Sequence, residues 1–150
     1  MTAKKRKGLH GTLELEERFE KIIEDRVKNS PFYELLGMGV TGLSPGEAEL
    51  RIAAGPHHCD ENGSVHPGVI FALADASSGV AMATLIPRGS RRVVTVEMKA
   101  NFIAPAGEGE LTATGKVLYE GGDIAVSEAE VSDEDGNLLA RSMATFMIIH

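Results

Sequence analysis

At 150 residues, with 43% hydrophobic and 25% charged residues, the chain is sized for one domain with a real core and a charged surface. Its formal net charge of −7 argues against a nucleic-acid binder, and no uninterrupted apolar run approaches the roughly 20 residues that span a bilayer. The single cysteine, Cys59, excludes an internal disulfide; polar sequence rather than an apolar stretch follows the basic start Lys4-Lys5-Arg6-Lys7, and both features fit a cytoplasmic protein.

Residues 1–29 form a first unit. The basic start reads as a short tail, and residues 12–29 predict an amphipathic helix with Leu15, Phe19, Ile22, Ile23 and Val27 on one stripe. Ser30-Pro31 is an N-cap followed by proline at the first helical position, and Gly37 closes that short helix. From residue 30 to 150 the pattern belongs to a second unit. Strands begin after Met38, turn at Pro45-Gly46, and continue over residues 47–53, where Ala48, Leu50 and Ile52 share one face. Residues 55–65 form a polar loop. A helix follows, ending near Leu85 ahead of Pro87 and Gly89. Strand-like runs then occupy residues 91–103, 110–119, 123–132 and 138–149, with Gly121-Gly122 and Asp135-Gly136 marking hairpins. No helix separates these four strands, which predicts an antiparallel meander. The layout is α+β: a curved antiparallel sheet wrapped around one long central helix, with an extra N-terminal helix.

Asp75 is the conspicuous residue. The helix around it, from His66 through Ala83, is apolar or small on nearly every side and belongs in a core. An ionised carboxylate there is costly unless it is paired, bonded or used, so Asp75 is the first candidate for chemistry. At about 100° per residue, the nine positions from His66 to Asp75 leave the two roughly half a turn apart on the helix. They cannot readily serve one site within one subunit. A pair of sites across a dimer, each taking the helix start of one chain and Asp75 of the other, removes the difficulty.

The ordered motifs carry a resemblance. Gly63-Ser64-Val65-His66-Pro67-Gly68 followed by Leu73-Ala74-Asp75 resembles the hotdog-fold acyl-CoA thioesterases, in the PaaI-like group of the 4-hydroxybenzoyl-CoA thioesterase superfamily. That family shows Asn-x-x-Gly-x-(apolar)-His-Gly-Gly and then Leu-Ala-Asp, its aspartate nine residues after the histidine, as here. Val94-Thr95-Val96-Glu97 and Asn101-Phe102-Ile103-Ala104-Pro105-Ala106 resemble its next strand and turn. The likeness covers residues 30–149. It implies a hotdog fold, dimers or tetramers with sites at the subunit interface, and hydrolysis of an acyl-CoA thioester without a cofactor.

Such hydrolysis needs a carboxylate that attacks or activates water, a donor for the developing oxyanion, and a pocket for the acyl group and the CoA arm. The resemblance makes Asp75 the nucleophile or general base. Thr95 falls where the family carries Ser or Thr, either orienting the water or bonding Asp75, or it is a strand threonine chosen for β-propensity. Two departures concern the oxyanion side. Pro67 replaces the glycine whose N–H donates in the family, and proline has none. Losing one such donor typically costs about 10²–10³ in rate. Gly68 is expected to offer a free N–H in its place, aided by the helix dipole. Asp60 occupies the position of the family's asparagine; Asn62 is the substitute if the loop is rearranged, and an Asp60 close to Asp75 would make an acid/base pair.

His66 reads as a structural residue at the helix start, Phe71 as apolar pocket lining, and Arg91 and Arg92, with Arg88 and Lys99, as candidates for the CoA phosphates. The run His57-His58-Cys59 is a poor set for one tetrahedral metal, so no metal is expected. The expected activity is acyl-CoA hydrolysis. The alternatives are a non-catalytic hotdog that binds an acyl-CoA as sensor or carrier, favoured by Pro67 and Asp60, and an interaction protein that docks through its N-terminal segment.

Overall fold

The computed structural model describes residues 14–86 and 92–150. The basic start, Thr12, Arg88 and Arg91 lie outside the described residues. Residues 14–22 form α1, which continues into a π-helical turn, Ile23–Lys28. Helix α2, Pro31–Leu36, is capped by the Ser30 hydroxyl, which accepts from Tyr33 N–H, and closed by Gly37 at φ 68°. Strands β1, Gly39–Ser44, and β2, Glu47–Ala54, are joined through Pro45-Gly46, where Gly46 takes φ 78° as the third residue of a type II turn requires. Helix α3 is Pro67–Leu85, and β3 to β6 are Arg92–Phe102, Gly109–Gly121, Ile124–Ser132 and Leu138–Ile149.

All six strands form one antiparallel sheet in the order β1-β2-β4-β5-β6-β3. The expected four-stranded meander is therefore only a three-stranded one, β4 to β6. Strand β3 pairs with β6 at the far edge, while β4 returns to pair with β2. Three strand spacings, about 14 Å, separate β3 from β4. The six residues 103–108 between them reach up to about 20 Å, enough to cross the end of the sheet. Strand β4 also suits the central place, since its inward positions Leu111, Ala113 and Gly115 are buried and mostly small.

The smallness decides how close α3 can lie. A Cβ built on Gly115 would stand 2.4 Å from the Ser77 carbonyl carbon and 2.6 Å from Ser78 N, both backbone atoms of α3. The helix rests directly on the strand. Leu73, Val80, Ala81 and Met82 of the helix, and Leu50, Ile52, Leu111, Leu139, Phe146 and Ile148 of the sheet, are at most 2% exposed. Among the described residues α3 alone is long and apolar enough to cross a bilayer, yet 67% of its apolar window is buried within this protein.

One sequence expectation fails here. The helix is not covered on every side, and Asp75 is not a core residue. Gly68, Ala72, Asp75 and Gly79, spaced four, three and four residues apart, form a partly open stripe. The N-terminal segment covers the neighbouring end. Ile22 and Val27 are 8% and 6% exposed within the main core, and Arg18 Nη2 donates to the Ile86 carbonyl at 2.8 Å, capping the C-terminus of α3.

The contact at Gly115 predicts that Gly115→Ala destabilises the fold by about 1–3 kcal/mol through overpacking against backbone that cannot rotate away. The urea midpoint, at unchanged m-value, measures it.

Candidate active site

Asp75 lines a cleft of about 240 Å³ together with Arg26, Ser30, Tyr33, Gly79, Val80, Val93, Thr95 and Phe146. Its position follows from helix geometry. Ser77 faces the sheet, and two residues in either direction turn about 200°. Asp75 and Gly79 must therefore point away from Gly115 and over the edge of the sheet. Thr95 Oγ1 donates to Asp75 Oδ1 at 2.9 Å. A β-bulge between Thr95 and Glu97 breaks the register of β3 with β6 at this point, the kind of irregularity that re-aims a side chain beside a site. The second carboxylate oxygen has no hydrogen bond among the described residues, so it can accept a proton or attack.

Tyr33 reaches the cleft from α2. Its phenol is pushed above the usual value, chiefly by burial and then by the negative charge of Asp75, with Arg26 acting in the opposite direction. Tyr33 therefore stays a hydrogen-bond donor well into alkaline conditions. Arg26 comes from the π-helical turn. Neither residue was singled out in the sequence, although a signal was present. Arg18 and Arg26 lie four residues either side of Ile22, so both interrupt the apolar stripe that docks α1.

A second cleft lies at the start of α3, with Asp60, Ser64, Val65, Pro67, Ile70 and Phe102 among its lining. It shares no residue with the Asp75 cleft. The separation of Asp75 from the helix start, read from a nine-residue spacing, is thus present within one protomer. The helix start itself departs from expectation. Gly68 N–H is not free: it donates to His66 Nδ1 at 2.8 Å. Val69 N–H donates to the His66 carbonyl at 2.9 Å, and Pro67 has no N–H. The imidazole has taken the orphan donor as an N-cap side chain, because a proline at the first position leaves Gly68 as the nearest one. A ring that accepts at Nδ1 carries its proton on Nε2, and His66 is exposed.

Asp60 does not pair with Asp75. Its Oδ1 accepts from Asn62 N–H at 2.9 Å and Ser64 N–H at 3.2 Å, closing its own loop, and Asn62 contributes backbone to that turn while its side chain lies at the exposed surface. Phe71 is 37% exposed and lines neither cleft. Arg92 is an exposed residue at the start of β3, and Lys99 borders a shallow pocket with Asn101, Glu128, Arg141, Ser142 and Met143. Both ring nitrogens of His58 are engaged, Nδ1 accepting from Gly55 N–H and Nε2 donating to the Leu36 carbonyl. Cys59 has its thiol pushed up by desolvation, Glu108 and Asp60, which opposes a nucleophilic role. Among the described residues no three His, Cys, Asp or Glu side chains converge to hold a metal ion.

Residues 62–140, which contain the helix start, Asp75, Thr95 and three of the closing strands, match the Thioesterase superfamily. The chain belongs to that family. It is 30% identical to the Saccharolobus solfataricus protein SSO2140 over 135 residues, covering 90% of this chain and 95% of the relative. Identity to the medium/long-chain acyl-CoA thioesterase YigI of Salmonella typhimurium is 23% over 154 residues, covering 93% and 99%. Among solved structures, a variant of the phenylacetic acid degradation protein PaaI from Thermus thermophilus superposes with a TM-score of 0.72 at 30% identity, covering 79% of this chain and 98% of that one. The PaaI protein of Escherichia coli shares the fold at a TM-score of 0.82 and 20% identity, covering 91% and 96%. The hotdog fold and the PaaI-like group are thereby shown, and the family's general chemistry is thioester hydrolysis.

The raised phenol gives a pH prediction. The folded state holds the Tyr33 proton more tightly than the unfolded state does, so its contribution to stability is complete below the ordinary value of 10.0 and fades as pH rises through the higher folded value. Denaturation midpoints measured across alkaline pH should fall more steeply for the wild type than for Tyr33→Phe.

Proposed function

We propose that the chain hydrolyses an acyl-CoA thioester, with Asp75 as general base or nucleophile. The observation that carries this reading is the Asp75 carboxylate on the family's central helix, held by Thr95 on one oxygen, without a hydrogen bond on the other among the described residues, and lining a cleft. In the general-base course, water oxygen bonds to the thioester carbonyl carbon while Asp75 takes its proton. The C–S bond then breaks, and the thiolate leaves with that proton as free CoA.

For the oxyanion side we look to the start of α3, where Pro67 has no N–H and those of Gly68 and Val69 are engaged by His66. We assign the donor role to the Nε2–H of the exposed His66, whose tautomer is set by the Gly68 cap. A second copy of the chain completes the site. Support comes from β3, an edge strand of 11 residues on which Val94, Val96 and Phe102 are 39%, 54% and 49% exposed. So long an apolar edge is a pairing surface rather than a stable terminus. The same engagement of the helix-start N–H groups favours the second reading, a hotdog that binds acyl-CoA without cleaving it.

Release of free CoA from a panel of acyl-CoAs separates the two readings. The wild type is expected to turn over at least one of them, and Asp75→Asn to lose about 10²–10⁴-fold in kcat at unchanged folding. Tight binding of acyl-CoA with no release by the wild type would establish the binder instead.

A further inference from the structure

We infer that the Asp75 cleft selects acyl groups ending in a carboxylate, with Arg26 and Tyr33 as the residues that read it; this rests on the thioesterase reading and names its substrate class. The cleft brings an acceptor and several donors together. Its acceptor is Asp75, already bonded by Thr95. Its other polar residues are donors: the Arg26 guanidinium, the Tyr33 phenol and the Ser30 hydroxyl. Arg26 and Tyr33 side chains have no hydrogen bond or ion pair among the described residues, and Arg26 does not come within ion-pairing distance of Asp75. Ser30 Oγ accepts from Tyr33 N–H at 3.4 Å, which leaves its own proton to give.

Donors without partners in a half-covered cleft call for an acceptor from the ligand. In a chain of net charge −7, a half-buried arginine pointed into such a space is an unusual expenditure of positive charge. A planar carboxylate satisfies a guanidinium fork bidentately and leaves a lone pair for the phenol. Val80, Val93 and Phe146 supply an apolar wall to the same cleft, and Gly79 leaves room, since a Cβ added there would meet nothing within 4 Å. The fitting substrate is a short dicarboxylic acid esterified to CoA at one end. Its thioester lies at Asp75 and its free carboxylate at Arg26. The N-terminal helix is then part of the specificity pocket rather than an appendage. Its position is fixed by the Arg18 cap on α3 and by the burial of Ile22 and Val27 on either side of Arg26.

Glutaryl-CoA and pentanoyl-CoA, which differ only by the terminal carboxylate, form the test pair. The wild type is expected to show a higher kcat/KM for glutaryl-CoA. Arg26→Gln should lower the glutaryl-to-pentanoyl ratio by about tenfold or more, and Tyr33→Phe, which keeps the ring and the packing, by a smaller factor near fivefold. A wild-type ratio below one, or a ratio unmoved in both variants, overturns the inference. So does an equal fall toward both substrates with a displaced pH profile, which would make Arg26 a modulator of Asp75. If the wild type releases CoA from neither, the acyl-CoA panel judges hydrolysis separately, and titration calorimetry of both thioesters decides the specificity. Weaker glutaryl-CoA binding by Arg26→Gln supports it, and equal binding refutes it.

Discussion

Everything functional in this molecule hangs on one close approach. Strand β4 meets the backbone of α3 at Gly115, where even a methyl group would collide with the Ser77 carbonyl. With Ser77 against the sheet, helical geometry carries Asp75 and Gly79 to the other side. The sheet can cover most of α3 but not that stripe. A carboxylate that would be ruinous beneath the sheet is tolerable at its rim, where Thr95 bonds one oxygen and solvent reaches the other.

The middle and the start of α3 then have separate duties. The middle, with Asp75 and Gly79, meets a cleft walled by the N-terminal segment and β3. The N-terminal end is spent on its own capping: proline supplies no donor, and His66 takes the next one. A helix start whose first N–H groups are engaged is a poor oxyanion site on its own, and the role proposed for His66 Nε2–H answers that constraint. It also explains why Pro67 is compatible with the fold while altering the chemistry expected of a glycine there.

Much of this was legible in the chain. The end of α3 at Leu85, the Ser30-Pro31 and Gly37 signals, the glycine turns and the alternating strands all appear where local chemistry places them. The order of the strands did not, because β3 and β4 follow one another in sequence while their pairing is decided by which strand is small enough to lie under the helix. Asp75 was found for a reason only half right: its charge in an apolar segment marked it, but the segment has an open face that periodicity alone did not reveal. Thr95 came from the likeness to the family. Arg26 and Tyr33 were passed over because they lie 49 and 42 positions before Asp75 and meet it only through the docking of α1 and α2. Gly68 failed as a free donor through a contact two residues long, an ability of histidine to cap that the reading of Pro67 left out.

The account depends on a site built from two chains, and a complementation experiment tests that directly. Asp75→Asn and His66→Ala chains, each impaired alone, are unfolded together and refolded as a mixture. If each site takes Asp75 from one chain and His66 from its partner, half the dimers are hybrids and each hybrid regains one intact site, so about a quarter of wild-type CoA release returns. Hybrids that form, as shown by mass of tagged chains, yet recover no activity would contradict the shared site.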